Sequence, residues 1–149
     1  MLPNSARTPR SDDQLRDKMT ATRRRVLAAD DHSRILSAVN ALLKGSFDVI
    51  GLYPDGRAAL EATLKLQPDL LVLDVSMPGM SGIEVASELK RRGNHTPIVF
   101  LTVHEDARVL AGCLAAGGLG YVVKELMDTD LIPAVNEALA GRVYVSRWS

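Results

Sequence analysis

The stretch Asp69-Leu70-Leu71-Val72-Leu73-Asp74-Val75-Ser76-Met77-Pro78-Gly79-Met80-Ser81-Gly82 decides the fold. Its unbroken apolar run is the pattern of a strand buried on both faces of a parallel sheet. The run stops on Asp74, and a Met-Pro-Gly loop then opens toward a helix. Open α/β sheets place their ligands at the carboxyl ends of central strands. An acid there can be a nucleophile, a metal ligand or a helix cap.

Working outward, Val26-Leu27-Ala28-Ala29 reads as a first strand ending in Asp30-Asp31. Ile35, Leu36, Val39, Leu42 and Leu43 follow at helical spacing, and Gly45 stops that helix. A second strand is expected over Phe47–Leu52, then a Pro54-Asp55-Gly56 turn and a helix carrying Ala58, Leu60, Ala62, Leu64 and Leu66. After the central strand, a helix is expected over Ile83–Leu89, ending in Lys90-Arg91-Arg92, where positive charge suits the helix dipole. Pro97–Thr102 is the fourth strand. Asp106–Ala116 is a helix weakened by Gly112 and closed by Gly117-Gly118. Gly120-Tyr121-Val122-Val123 is a fifth strand ending on Lys124. The last helix is expected over Thr129–Ala140, with Pro133 tolerable only near its first turn, and 142–149 trail off.

Strands alternating with helices predict a doubly wound parallel sheet with both faces covered. The expected order is 2-1-3-4-5, whose switch point lies between strands 1 and 3. The domain divides as a polar arm over 1–25, a single folded domain over 26–141, and a tail or truncated linker over 142–149.

At 149 residues the chain suits one hydrophobic core. Its 18 basic and 18 acidic residues cancel, so no net field draws it to nucleic acid or membrane. A lone cysteine, Cys113, excludes an intrachain disulfide and makes the cytoplasm the default setting; its place on an apolar helix stripe reads as packing. No apolar run reaches the roughly 20 residues of a membrane helix. The arm holds only Leu2, Leu15 and Met19 as sizeable apolar groups, too few to offset its ordering entropy, and Met19 could equally be the start. The cluster Arg23-Arg24-Arg25 reads as a solvated lead-in to the first strand rather than a phosphate contact.

The strand ends collect Asp30, Asp31, Asp74, Thr102 and Lys124. Three crowded carboxylates repel, and one would keep a proton without compensation. Mg²⁺ removes that conflict, because it favours a few carboxylates plus waters. Acids, a hydroxyl and an ammonium together suit a phosphoryl group, and Asp74 itself can form an aspartyl phosphate. The acids can alternatively be helix caps, a role open to Asp31 or Ser33. His32 and His104 flank these acids, but their spacing matches no metal-ligand motif. His95 reads as a solvated loop residue and Trp148 as a linker residue.

Asp30-Asp31, Asp74 with Met77-Pro78-Gly79 and Ser81-Gly82, Thr102, and Gly120-Tyr121-Val122-Val123-Lys124 together resemble the receiver domain of two-component response regulators. Thr102-Val103-His104-Glu105, Val123-Lys124-Glu125 and Gly141-Arg142-Val143-Tyr144-Val145-Ser146 are most similar to the NarL/FixJ/LuxR-type subfamily. The resemblance implies a flavodoxin-like (βα)5 fold. It implies that Asp74 accepts a phosphoryl group from a sensor histidine kinase or phosphotransfer protein. It also implies that Asp31, Asp74 and the Ser76 carbonyl bind Mg²⁺, with Asp30 mostly through water. Thr102 and Lys124 would each meet a phosphoryl oxygen, and Tyr121 would turn with Thr102 as the switch aromatic. The helix 4–strand 5–helix 5 surface would then carry the response, as a homodimer or a partner contact. Such a domain is not a turnover enzyme, since it catalyses only its own phosphorylation and dephosphorylation.

Three departures qualify the resemblance. Glu125 stands where many receivers have proline. Val103 exceeds the usual alanine or glycine and narrows access to the phosphoryl group. Nothing in the chain supplies the helix-turn-helix domain into which NarL-type regulators continue, so it reads either as a stand-alone receiver or as a portion of a longer regulator, and nucleic acid contact is expected only through such a further domain. A haloacid-dehalogenase-type phosphatase would need a second acid at Ser76, and a flavodoxin-type cofactor binder would suffer repulsion from Asp30-Asp31. The remaining alternative is a degenerate receiver that works as an interaction module without phosphorylation.

Overall fold

The structure, a computed structural model, describes residues 23–103 and 105–147. Most of the N-terminal arm, His104 and Trp148 lie outside the described residues. Six parallel strands run in the order β2-β1-β3-β4-β5-β6: β1 Arg25–Ala29, β2 Asp48–Tyr53, β3 Leu70–Asp74, β4 Ile98–Thr102, β5 Gly120–Val123 and β6 Tyr144–Val145. The helices between them are α1 Ser33–Leu43, α2 Gly56–Leu66, α3 Gly82–Arg91, α4 Ala107–Ala115 and α5 Met127–Leu139.

The alternation of side chains along each strand divides the core in two. Val26, Ala28, Leu70, Val72, Val99, Leu101 and Val122 point to the face covered by α1 and α5. Leu27, Ala29, Leu71, Leu73, Phe100, Tyr121 and Val123 point to the face covered by α2, α3 and α4. Every residue of β3 and β4 is buried, which is why both read as continuous apolar runs. Cys113 is the one buried residue of α4, and burial pushes its thiol up to about 12. That matches a packing role and leaves α4 with the smallest anchored face of the five helices.

Several boundaries differ from the sequence expectation. The second strand is shifted one residue on, to Asp48–Tyr53. Ser81 and Glu84 cap each other reciprocally, so α3 opens at Gly82. A 3₁₀ turn over Lys124–Leu126 leads straight into α5, which opens at Met127 and holds Pro133 in its interior rather than its first turn. The arginine lead-in is not merely solvated. Arg23 donates to the Lys44 and Gly45 carbonyls, and Arg25 to those of Leu66 and Gln67. Both satisfy exposed carbonyls at helix C-termini.

The larger difference is β6, in the segment expected to trail off. Tyr144 and Val145 pair with Gly120 and Tyr121, so β5 is not the edge of the sheet. A hook holds this strand in place. The Ser146 hydroxyl donates to Asp130 of α5 at 2.6 Å and accepts from the Val123 amide at 3.1 Å. Ser146 is buried. Ser146→Ala leaves that amide unsatisfied and is expected to cost about 1–3 kcal/mol, read as a lower urea midpoint at unchanged m-value. Val143→Ala, at an exposed position two residues before β6 ends, is expected to change stability by less than about 0.5 kcal/mol.

Candidate functional site

Each residue singled out at a strand end arrives there by the parallel register. Asp74 closes β3, and Asp74 and Thr102 are matched across β4 to Leu101 and Val123. Asp30 follows β1 and continues its pairing, its amide donating to the Tyr53 carbonyl. Lys124 follows β5. Because all strands run the same way, these groups share one edge of the sheet.

The geometry is tight. Lys124 Nζ lies 2.7 Å from Asp30 Oδ2 and 3.2 Å from Asp74 Oδ1. All three side chains are nearly inaccessible, with Lys124 only 8% exposed. The Ser76 amide donates to Asp74 Oδ1 at 3.3 Å, and the His32 amide to Asp30 Oδ1 at 2.8 Å. An added Cβ at Gly82 would overlap the Asp74 carbonyl oxygen, so the helix after the loop can approach the acid this closely only with glycine there. Neither Asp31 nor Ser33 caps α1. His32 occupies the cap position without a side-chain hydrogen bond, which leaves the acids uncommitted to helix capping.

Burial pushes the Asp74 carboxyl up to about 6; the Asp30 charge adds to the rise, and Lys124 pulls against it. One ammonium therefore does not fully offset the acids. Asp30 Oδ2 is ion-paired to Lys124 but has no hydrogen bond of good geometry, although it is buried. Ligand atoms of Asp30, Asp31, His32 and Asp74 all lie within 4.8 Å of one another. An under-satisfied buried oxygen among three carboxylates fits a hard divalent cation. The sequence set His32 aside because ligand motifs are sought at helical or hairpin spacings. Here consecutive residues converge on a sharp strand-to-helix turn instead.

Thr102 is buried at the end of β4. The fully buried Tyr121 has its hydroxyl against the Thr102 side chain and the Asp106 backbone; both contacts favour the phenolate, but burial outweighs them and raises the phenol's pKa. Val103, the next residue, is 64% exposed beside the site. Among the described residues no peptide bond is cis, the bond from Lys124 to Glu125 included.

The raised carboxyl has a consequence for stability. The unfolded chain releases this proton near pH 3.8 and the folded protein near pH 6. The fold's advantage from Asp74 is thus intact below pH 3.8 and lost as pH rises through 6. In EDTA at pH 7, Asp74→Asn is expected to stabilise the protein by up to about 3 kcal/mol, at 1.36 kcal/mol for each pH unit between 3.8 and 6. Denaturant unfolding from pH 7 down to 4 should show that gain shrinking toward zero.

The response regulator receiver domain family matches residues 26–136. The nitrate/nitrite response regulator protein NarL of Escherichia coli K12 is 32% identical over 123 residues, which cover 81% of this chain and 57% of NarL. The oxygen regulatory protein NreC of Staphylococcus epidermidis is 33% identical over 124 residues, 81% of this chain and 57% of NreC. This chain thus spans under three-fifths of the length of these curated relatives. Among solved structures, the isolated REC domain of RcsB from Salmonella enterica serovar Typhimurium, in the presence of phosphomimetic BeF3-, superposes with a TM-score of 0.77 at 27% identity. The match covers 85% of this chain and 95% of that one. No described helix is long and apolar enough to cross a membrane. The chain belongs to the response regulator receiver domain family, and NarL- and NreC-type regulators are among its relatives.

Proposed function

We propose that this chain is a phosphorylation-controlled signalling domain of the cytoplasm, with Asp74 taking a phosphoryl group from the phosphohistidine of a sensor histidine kinase or phosphotransfer protein. The observation that carries this reading is the hold on Asp74. Its Oδ1 lies against Lys124 Nζ and the Ser76 amide, at the one sheet edge where Asp30, Asp31 and Thr102 also end.

With Oδ1 engaged, Oδ2 is the attacking oxygen. Its bond to phosphorus forms as the phosphorus–nitrogen bond breaks, and the donor nitrogen keeps the electron pair and takes a proton from solvent. Such transfers need positioning and charge neutralisation more than covalent help. A bound Mg²⁺ supplies neutralising charge. Asp31, Asp74 and the Ser76 carbonyl would hold it directly, and Asp30 mostly through water. Lys124 meets one phosphoryl oxygen and the Thr102 hydroxyl another. The domain turns over nothing beyond its own phosphorylation and dephosphorylation.

The switch is the Thr102–Tyr121 pair. Their existing contact supports a coupled motion, because drawing Thr102 toward a phosphoryl oxygen changes what the tyrosine hydroxyl touches. The phosphoryl group then favours one of two arrangements by its better contacts there. The response surface is formed by α4, β5 and α5, with β6 laid along the outer edge of β5, and it serves a homodimer or a partner protein. The RcsB receiver's solution with a phosphomimetic is consistent with this class of control.

Intact mass after incubation with acetyl phosphate and Mg²⁺ tests the reading. The wild type is expected to gain one phosphoryl group and Asp74→Asn none. No gain in the wild type would overturn it in favour of an interaction module that works unphosphorylated. Val103→Ala is expected to speed phosphoryl transfer or hydrolysis by opening the approach, and equal rates in stopped-flow measurements would dismiss that role for Val103.

A further inference from the structure

We infer that Ser146 is a positioning residue for Lys124, its hydroxyl fastening together the two ends of the segment that carries the lysine; this rests on the reading of Lys124 as a partner of the phosphoryl group. The segment runs from Val123, which closes β5, to Asp130 in the first turn of α5. At one end the Ser146 hydroxyl accepts from the Val123 amide at 3.1 Å, and at the other it donates to Asp130 Oδ2 at 2.6 Å. Lys124 follows Val123 directly, so whatever fixes that peptide fixes the origin of the lysine side chain.

The surrounding structure leaves this task to the serine. Strand β6 pairs along β5 only as far as Tyr121, and the Ser146 amide donates to the Tyr121 carbonyl at 2.8 Å. The Val123 amide lies two residues on, along the same outer side of β5, and the serine hydroxyl takes the place of the missing strand there. On the inner side Val123 is matched to Thr102 of β4. Beyond Lys124, the lysine carbonyl accepts from the Met127 amide and closes the 3₁₀ turn. Ser146 is buried, so an amide deprived of its hydroxyl has no ready substitute. Asp130 keeps the Thr129 hydroxyl, 3.0 Å from its Oδ1, and the loss therefore falls on Val123.

Lysine is the side chain that most needs such support. It is a point charge on a flexible four-carbon stem, and nothing in its own chemistry sets where the ammonium comes to rest. Here Nζ must meet Asp30 at 2.7 Å and Asp74 at 3.2 Å together. A backbone drift of about 1 Å at its origin is enough to upset that placement, and misplacements of this size slow positioned chemistry by large factors. Ser146 thus acts on the site through the lysine, from the edge strand of the sheet.

The test uses the whole chain. Pulses of acetic anhydride, read by peptide mass spectrometry, give the acetylation rate of each lysine, with the exposed Lys44 and Lys65 as internal references. Ser146→Ala is expected to raise the Lys124 rate relative to these at least about fivefold, the factor that about 1 kcal/mol of easier local opening produces. Asp130→Ala, which frees the other end of the segment, is expected to do the same. Val39→Ala, a fully buried change on α1, is the control for general loss of stability and is expected to leave the ratio within about twofold of wild type. Phosphorylation by acetyl phosphate with Mg²⁺ is expected to slow at least about fivefold in Ser146→Ala and not in Val39→Ala. An unchanged Lys124 ratio in both hook variants would overturn the inference, as would a rise in Val39→Ala as large as theirs. An unchanged phosphorylation rate beside a raised ratio would also overturn it. A wild type that gains no phosphoryl group, with the ratio still raised in the variants, would instead strike the phosphoryl reading beneath it and leave the placement of Lys124 by Ser146 standing.

Discussion

Lys124 lies between the Asp30 and Asp74 carboxylates, and the topology makes that meeting necessary. Strands β1 and β3 are neighbours, run the same way and end in acids. Their carboxyl ends therefore deliver two buried carboxylates to one edge. Strand β5 stands two places from β3, so its terminal lysine reaches across the end of β4 to both. Removing Lys124 would leave two buried carboxylates uncompensated, which costs far more than an exposed pair is worth. The exposed pairs of Glu88 with Arg91 and Arg92, at the far end of α3, carry no comparable constraint.

The sheet was legible because burial on both faces leaves a simple mark. Leu70–Leu73 and Ile98–Leu101 are apolar without alternation, and their shortness between turn residues favours a buried strand over a buried helix. One short-range signal was present in the sequence, although the expected start of α3 at Ile83 did not draw on it. Ser81 and Glu84 stand three apart ahead of an apolar helix, the signature of a reciprocal cap, and that signal places the start of α3 more closely than its apolar periodicity does. Strand β6 was not legible. Two residues carry no periodicity, and what fixes them is Ser146 reaching Asp130 and the Val123 amide, contacts made across 16 and 23 residues of chain. Local pattern cannot report a hydrogen bond whose partners meet only after the sheet forms.

The site divides along the same line. Asp30, Asp74, Thr102 and Lys124 could be brought together on paper because strand order and strand direction are enough to co-locate strand ends. What the sequence could not supply is which oxygen faces which donor. In the structure, Oδ2 of Asp30 lies on Lys124 while Oδ1 receives the His32 amide. The convergence of Asp30, Asp31 and His32 was hidden for the same reason. Consecutive residues normally diverge, and only the turn from β1 into α1 folds three of them toward one point.

An acid held this way is a load on the fold. Asp74 titrates near 6 rather than near 3.8, so at neutral pH the folded protein carries a carboxylate that burial opposes. The two apolar layers on either side of the sheet offset that load, being large and remote from it. A strained site on a stable scaffold is the condition under which a ligand can act as a switch. A cation that relieves the crowding binds the folded, ionised site and not the unfolded chain, so its binding energy appears as added stability. If the site has two arrangements that the ligand relieves unequally, the same energy shifts the population between them. A carboxylate already satisfied in the resting protein would have nothing to gain from such a ligand, and the fold would then have no reason to respond.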